Sequence, residues 1–202
     1  MPIKAIPKPV VKKLERIGRA KAFDKWLGER KIVDHRAIKL VGKGINFRET
    51  KEKGTRVRLA KLKIKGKWFE VVLKKMHRLP AKKVIEIINE TVKYHNLNYA
   101  GEKRFRVVAP KAVVIAKDVV AMTRTNAPSI EEILGDNFGG GKTKRGQAQF
   151  GKIKKMHRTT EKQLFDMAKD FFDRTGIHRS NLLLLGADKT GKLVFMPLVD
   201  DF

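Results

Sequence analysis

The chain has 202 residues, 42% of them hydrophobic, enough to bury a core and too many for a disordered basic tail. Lys and Arg number 47 against 21 Asp and Glu, a formal net charge of +26 that favours a polyanionic partner, nucleic acid being the commonest. The absence of cysteine excludes disulfides, thiolate metal sites and cysteine nucleophiles, and no stretch approaches the ~18 consecutive apolar residues of a spanning helix.

Residues 1–38 read as a basic N-terminal arm. Pro2, Pro7 and Pro9 punctuate extended chain that passes into a helix, VVKKLERIGRAKAFDKWLGER, with Val11, Leu14, Ile17, Phe23, Trp26 and Leu27 as its apolar stripe. The opposite face is almost purely basic, with Lys12, Lys13, Arg16 and Arg19, and is expected to lie on a partner. No long apolar run or small-residue cleavage site follows the first charges, so a cytoplasmic protein is expected.

Residues 39–134 read as a subdomain of meander, helix and strands. IKLVGKGINFRE, TRVRLAKLKIKG and KWFEVVLKKM carry period-two patterning with one wet, cationic face, and Lys65-Gly66-Lys67 makes a hairpin turn. Pro80 opens a helix with Val84, Ile87, Ile88 and Val92 on one face. FRVVAPKAVVIA and VVAMTR follow as strands, and SIEEIL is a short helix capped by Ser129 and Glu132.

Residues 135–158 read as a flexible Gly/Lys-rich loop, and 159–202 as a helix plus a β-hairpin. Thr160 caps EKQLFDMAKDFFDRTG, whose Leu164, Met167, Ala168 and Phe171 face inward and whose Gly176 is a stop. DKTGK joins NLLLLGAD to KLVFMPLV. The predicted class is α+β, an antiparallel meander packed with helices behind a basic arm.

The GGGKT of residues 139–143 invites comparison with a phosphate-binding loop. That motif needs glycine at position 136, where Asp136 stands, and a strand before it, where a helix is predicted. The cationic strip is read instead as tracking a phosphate backbone, through Lys142, Lys144, Arg145, Lys152, Lys154, Lys155 and Arg158, with Phe150 available for base stacking. Trp26, Phe47, Trp68 and Tyr99 are further stacking candidates. The five histidines lack ligand spacing and read as surface or phosphate-contacting residues, so no metal site is expected.

Over residues 38–202 the order of elements resembles the protein-kinase-like fold. LVGKGINF stands where a glycine-rich loop would lie, WFEVVLKK resembles the strand of the nucleotide-binding lysine, and TGIHRSNLLLLGADKTGKLVFMPLVDDF resembles a catalytic loop, strand pair and metal-binding segment. The resemblance implies Lys74 as that lysine, Glu86 or Glu90 as its partner, VVAMTR as a hinge strand, and Asn181 with Asp200 or Asp201 as ligands of MgATP. The position five before Asn181 is Gly176, and matching HRS to HRD gives Ser180, so the orienting acid is missing and a non-catalytic scaffold is implied.

The leading expectation is a non-catalytic RNA-binding protein of the ribosome or another large ribonucleoprotein, either a ribosomal protein or a docking factor for dormancy, with an rRNA partner and a homodimer as one arrangement. Its character is similar to archaeal-type ribosome-associated basic proteins. Charge spread over arm, sheet and strip suits a protein embedded in folded RNA, and no helix-turn-helix, zinc finger or basic zipper is present. The alternatives are a reduced phosphotransferase or pseudokinase binding MgATP, and a sequence-nonspecific DNA-binding protein.

Overall fold

The structure, a computed structural model, describes residues 5–19, 45–49, 57–123, 125–135 and 141–199. They form an α+β fold in two compact units, one within 3–85 and 111–124, the other within 86–110 and 125–200. No described helix is long and apolar enough to cross a membrane.

In the first unit, α1 (Lys8–Gly18) starts on the Pro7 carbonyl, which accepts the N–H groups of Val10 at 2.8 Å and Val11 at 3.1 Å. Pro9 is tolerated because its missing N–H falls in the first turn, where no intrahelical acceptor exists. The strands β1 (Ile45–Glu49), β2 (Val57–Ile64), β3 (Lys67–Lys75), β5 (Ala112–Ala116) and β6 (Val119–Thr123) build an antiparallel sheet in the order β1-β2-β3-β6-β5. Lys65 and Gly66 both have positive φ, 46° and 79°, the pairing that a two-residue turn needs to match strand twist, so the predicted hairpin turn holds.

One face of this sheet is covered by α1. Ile6, Val10 and Leu14 pack with Ala60, Leu62, Val71, Leu73, Ile115, Val119 and Ala121. The apolar stripe of α1 is thus satisfied within the chain, with Val10 and Leu14 fully buried at roughly 1.5–3 kcal/mol each, and Lys8, Lys12 and Arg16 are left exposed. Continuous β2–β3 pairing carries the register through Ala60, so Ala60 and Leu62 share the covered face and Lys61 lies on the other. There Lys61 meets its cross-strand partner Glu70 at 2.7 Å, so the face expected to be cationic holds an ion pair.

The helix α2 (Ala81–Asn98) follows Pro80 as predicted and buries Ala81, Val84, Ile88, Val92 and His95 along one stripe. Its first N–H is capped by the Lys117 carbonyl at 2.9 Å. The expected strand FRVVAPKAVVIA is two strands. Pro110 has no N–H to give a ladder, and β4 (Phe105–Val107) before it joins a different sheet from β5 after it.

In the second unit, β4, β7 (Leu182–Ala187) and β8 (Leu193–Pro197) form a sheet ordered β4-β8-β7, with β4 parallel and β7 antiparallel to β8. Both edges of β8 are thus paired within the chain, and β7 is bridged on its outer side by Ser129 opposite Leu183. Around it stand α3 (Ile130–Leu134), α4 (Lys144–His157), α5 (Glu161–Thr175) and a 3-10 turn at Arg179–Asn181. The capping box of Ser129 and Glu132, the Thr160 cap and the Gly176 stop form as predicted, and Leu164, Met167, Ala168 and Phe171 face inward.

Candidate nucleic-acid interface

The flexible strip expected over 135–158 is, from Lys144 to His157, the helix α4. Thr143 caps it, accepting the Gly146 N–H at 3.0 Å, while its own N–H donates to the Glu132 carbonyl at 2.9 Å. The Gln147 side-chain amide donates to the Ile133 carbonyl. So α4 starts by satisfying carbonyls left open at the C-terminus of α3, a helix end that is otherwise short of partners. The approach demands glycine: a Cβ on Gly146 would lie 2.3 Å from the Glu132 carbonyl oxygen.

The inward face of α4 is Gly146, Phe150 and Ile153, all buried. Phe150 is 3% exposed, so this ring is core and is not available to stack on a base. The outward face carries Lys144, Arg145, Lys152, Lys154 and Lys155, all exposed, beside the exposed Ala148, with Arg158 just beyond. There is no Asp or Glu anywhere from 141 to 158. Lys142 pairs with Glu161 at 3.1 Å, whereas Lys144, Lys152, Lys154, Lys155 and Arg158 meet no carboxylate among the described residues.

Two of these charges stand where helix physics disfavours them. Lys144 and Arg145 occupy the first turn, beside the positive end of the helix dipole, at a cost of ~0.3–1 kcal/mol each. Arg158 caps the other end in left-handed geometry, φ 53°, a conformation that favours glycine. On α1, Lys8, Lys12 and Arg16 are exposed at successive i,i+4 positions, like charges that repel, and Arg19 is exposed beyond them. Lys13 is half-buried.

The remaining predicted residues fall in several places. Trp68 is 49% exposed on β3, whereas Tyr99 is half-buried with the Arg174 guanidinium 3.9 Å above its ring. Trp26 and Asp200 lie outside the described residues, as does the side chain of Phe47. Lys74 is buried on the central strand β3, on the face away from α1, between Val57 of β2 and Val120 of β6. Glu86 and Glu90 are exposed on α2. The Asn181 carbonyl accepts the Leu198 N–H at 2.7 Å, which sets the start of β7 beside the end of β8.

His95 is not the surface residue its context suggested. It is 2% exposed, stacked on Tyr99 and Phe105 and edge-on to Phe171, and its Nδ1 has no hydrogen-bond partner among the described residues. Burial, and then the nearby Arg174 charge, hold its pKa below the ordinary histidine value. At the rim Arg104 donates to Glu102 at 2.8 Å and to Asp170 at 2.9 Å, and Asp170 also takes Arg174 at 2.5 Å. The Arg104 hydrogen bond is the main reason that the Glu102 pKa falls to about 2.

Sequence patterning missed Phe165 and Phe172. Each follows an inward-facing residue of α5, Leu164 and Phe171, and each is itself 40% and 42% exposed. The available signal was their position one step off the apolar stripe. Among the described residues no group of three or more His, Asp or Glu is placed to hold a metal. No protein-family model matches the chain, and no curated protein matches it in sequence.

Proposed function

We propose that the chain is a non-catalytic RNA-binding protein that docks on folded RNA in the ribosome or another large ribonucleoprotein. The observation that carries this reading is α4: a helix with no acidic residue, an outer face whose charged residues are all cationic, and lysine and arginine in the first turn against its own dipole. Charge placed at a cost to folding, with no carboxylate among the described residues to meet it, is what a phosphate-binding surface requires. The exposed cations of α1 add a second such surface.

Neutralising Lys144, Arg145, Lys152, Lys154 and Lys155 to Gln tests it. The slope of log K against log salt should become shallower by ~0.7–0.9 for every phosphate that these side chains neutralise. An unchanged slope would mean that α4 is merely solvated. Equal affinity for duplex DNA and structured RNA would favour the sequence-nonspecific DNA reading. Comigration of the chain with a ribosomal particle on a gradient, abolished by ribonuclease treatment, tests the ribonucleoprotein setting.

A second reading, a pseudokinase that binds MgATP, is favoured by Lys74 standing buried on the central strand, directly paired to the β6 strand matched to the hinge. Against chemistry stands Gly176, which occupies the place of the missing acid as the C-cap of α5 with φ 73°. An unchanged Tm in saturating MgATP would exclude this reading, since any ligand of the native state raises stability.

A further inference from the structure

The outer face of α5 and the 3-10 turn that follows it enclose an open groove of about 200 Å³, lined by Phe165, Ala168, Lys169, Phe172, His178 and Arg179. All lie in one compact unit. We propose that this groove takes an unpaired nucleobase of RNA, stacked on the exposed phenylalanines, with the flanking phosphate held by the cationic rim. The inference rests on the RNA-binding reading and adds to it a preference for single-stranded segments.

Four observations carry it. The groove is smaller than the ~300–1,000 Å³ of sites that enclose a whole small molecule, so it suits one planar group of a larger ligand. Its two rings lie two helical turns apart and are far more exposed than the core phenylalanines of the same unit. The lining places polar groups beside them: the Arg179 guanidinium is 5.7 Å from the Phe165 ring centre, and the His178 ring meets Phe172 edge-on at 6.0 Å. Lys169 and Arg179 outnumber the lining's one acid, Asp173, which Lys169 meets at 2.8 Å.

His178 adds a directed donor. Its Nδ1 accepts the Ser180 N–H at 3.3 Å and lies 2.9 Å from the Ser180 hydroxyl, so the proton of the neutral ring sits on Nε2. An N–H donor beside an aromatic platform is suited to a base edge or a phosphate oxygen. Single-strand binders combine these parts, with stacking as the interaction that tolerates any base.

The test compares the full chain with a Phe165→Leu/Phe172→Leu variant, using an unstructured oligonucleotide carrying 2-aminopurine and a fully paired hairpin. The variant should bind the unpaired RNA roughly tenfold more weakly and the hairpin within about twofold, and quenching of 2-aminopurine should disappear. A Phe165→Tyr/Phe172→Tyr variant, which keeps the rings, should restore both, and the single Phe172→Leu variant, with the same selective loss on the unpaired RNA, stands in if the double leucine variant fails to fold. Wild-type binding to both RNAs with no quenching, or equal weakening on both, would overturn the groove and leave it to an apolar protein partner. Failure of the wild type to bind either RNA would overturn the RNA-binding reading itself.

Discussion

Gly146 fixes where α4 begins, and a second glycine in the same helix isolates its role. At Gly146 a methyl group would collide with the Glu132 backbone, whereas at Gly151 it would meet nothing within 4 Å. Helix propensity alone favours alanine over glycine by ~1 kcal/mol. Gly151→Ala should therefore stabilise the protein by up to about 1 kcal/mol, and Gly146→Ala should destabilise it by roughly 1–3 kcal/mol, as overpacking against backbone does. Urea denaturation of both variants checks this, and stabilisation by both would mean that α3 and α4 do not approach as closely as described. The glycine-rich stretch was legible as glycine-rich, but which glycine meets backbone depends on a helix that patterning did not reveal.

At the scale of elements, legibility followed the chemistry of the buried stripe. Leu164, Met167, Ala168 and Phe171 declare α5, and the capping residues fix its ends. The buried stripe of α4 has the same spacing at 146, 150 and 153, but its first position is glycine, so no apolar period appears. The layer joining α2, β4 and α5 was equally hidden, because its central residue is His95. That histidine is held neutral, so the unfolded chain binds a proton near pH 6.5 that the native state refuses. Its contribution to stability is complete above that pH and is lost as pH falls. Glu102 behaves as a depressed carboxylate, its contribution complete above about 4.5 and lost on the way down to about 2. The Tm should accordingly fall from pH 7 to 5 and again below 4.5. His95→Phe should flatten the first decline and leave the second. A variant with the parent's slope between pH 7 and 5 would show that His95 is not held neutral.

For the molecule as a whole, composition spoke most directly to charge, and the structure shows where part of that charge stands. The acids are concentrated in pairs: Asp166 with Lys162, Asp173 with Lys169, Asp170 with Arg104 and Arg174, and Glu70 with Lys61. The outer face of α4 has no such partners among the described residues, so its charges contribute repulsion without compensating attraction. Surface pairs of the α5 kind are worth ~0–1 kcal/mol and lose that in salt, whereas repulsion spread over a net charge of +26 is relieved by salt. Repulsion should win. The Tm should rise between about 20 and 300 mM salt, over which the screening length shortens from roughly 20 Å to below 8 Å, and the rise should shrink when the five α4 cations are neutralised. A short RNA should raise the Tm at low salt and lose that effect at high salt, because the same counterions that relieve repulsion compete for the phosphate sites. A Tm that instead fell with salt would mean that the ion pairs outweigh the unpaired charge, and the physical case for a polyanionic partner would fall with it.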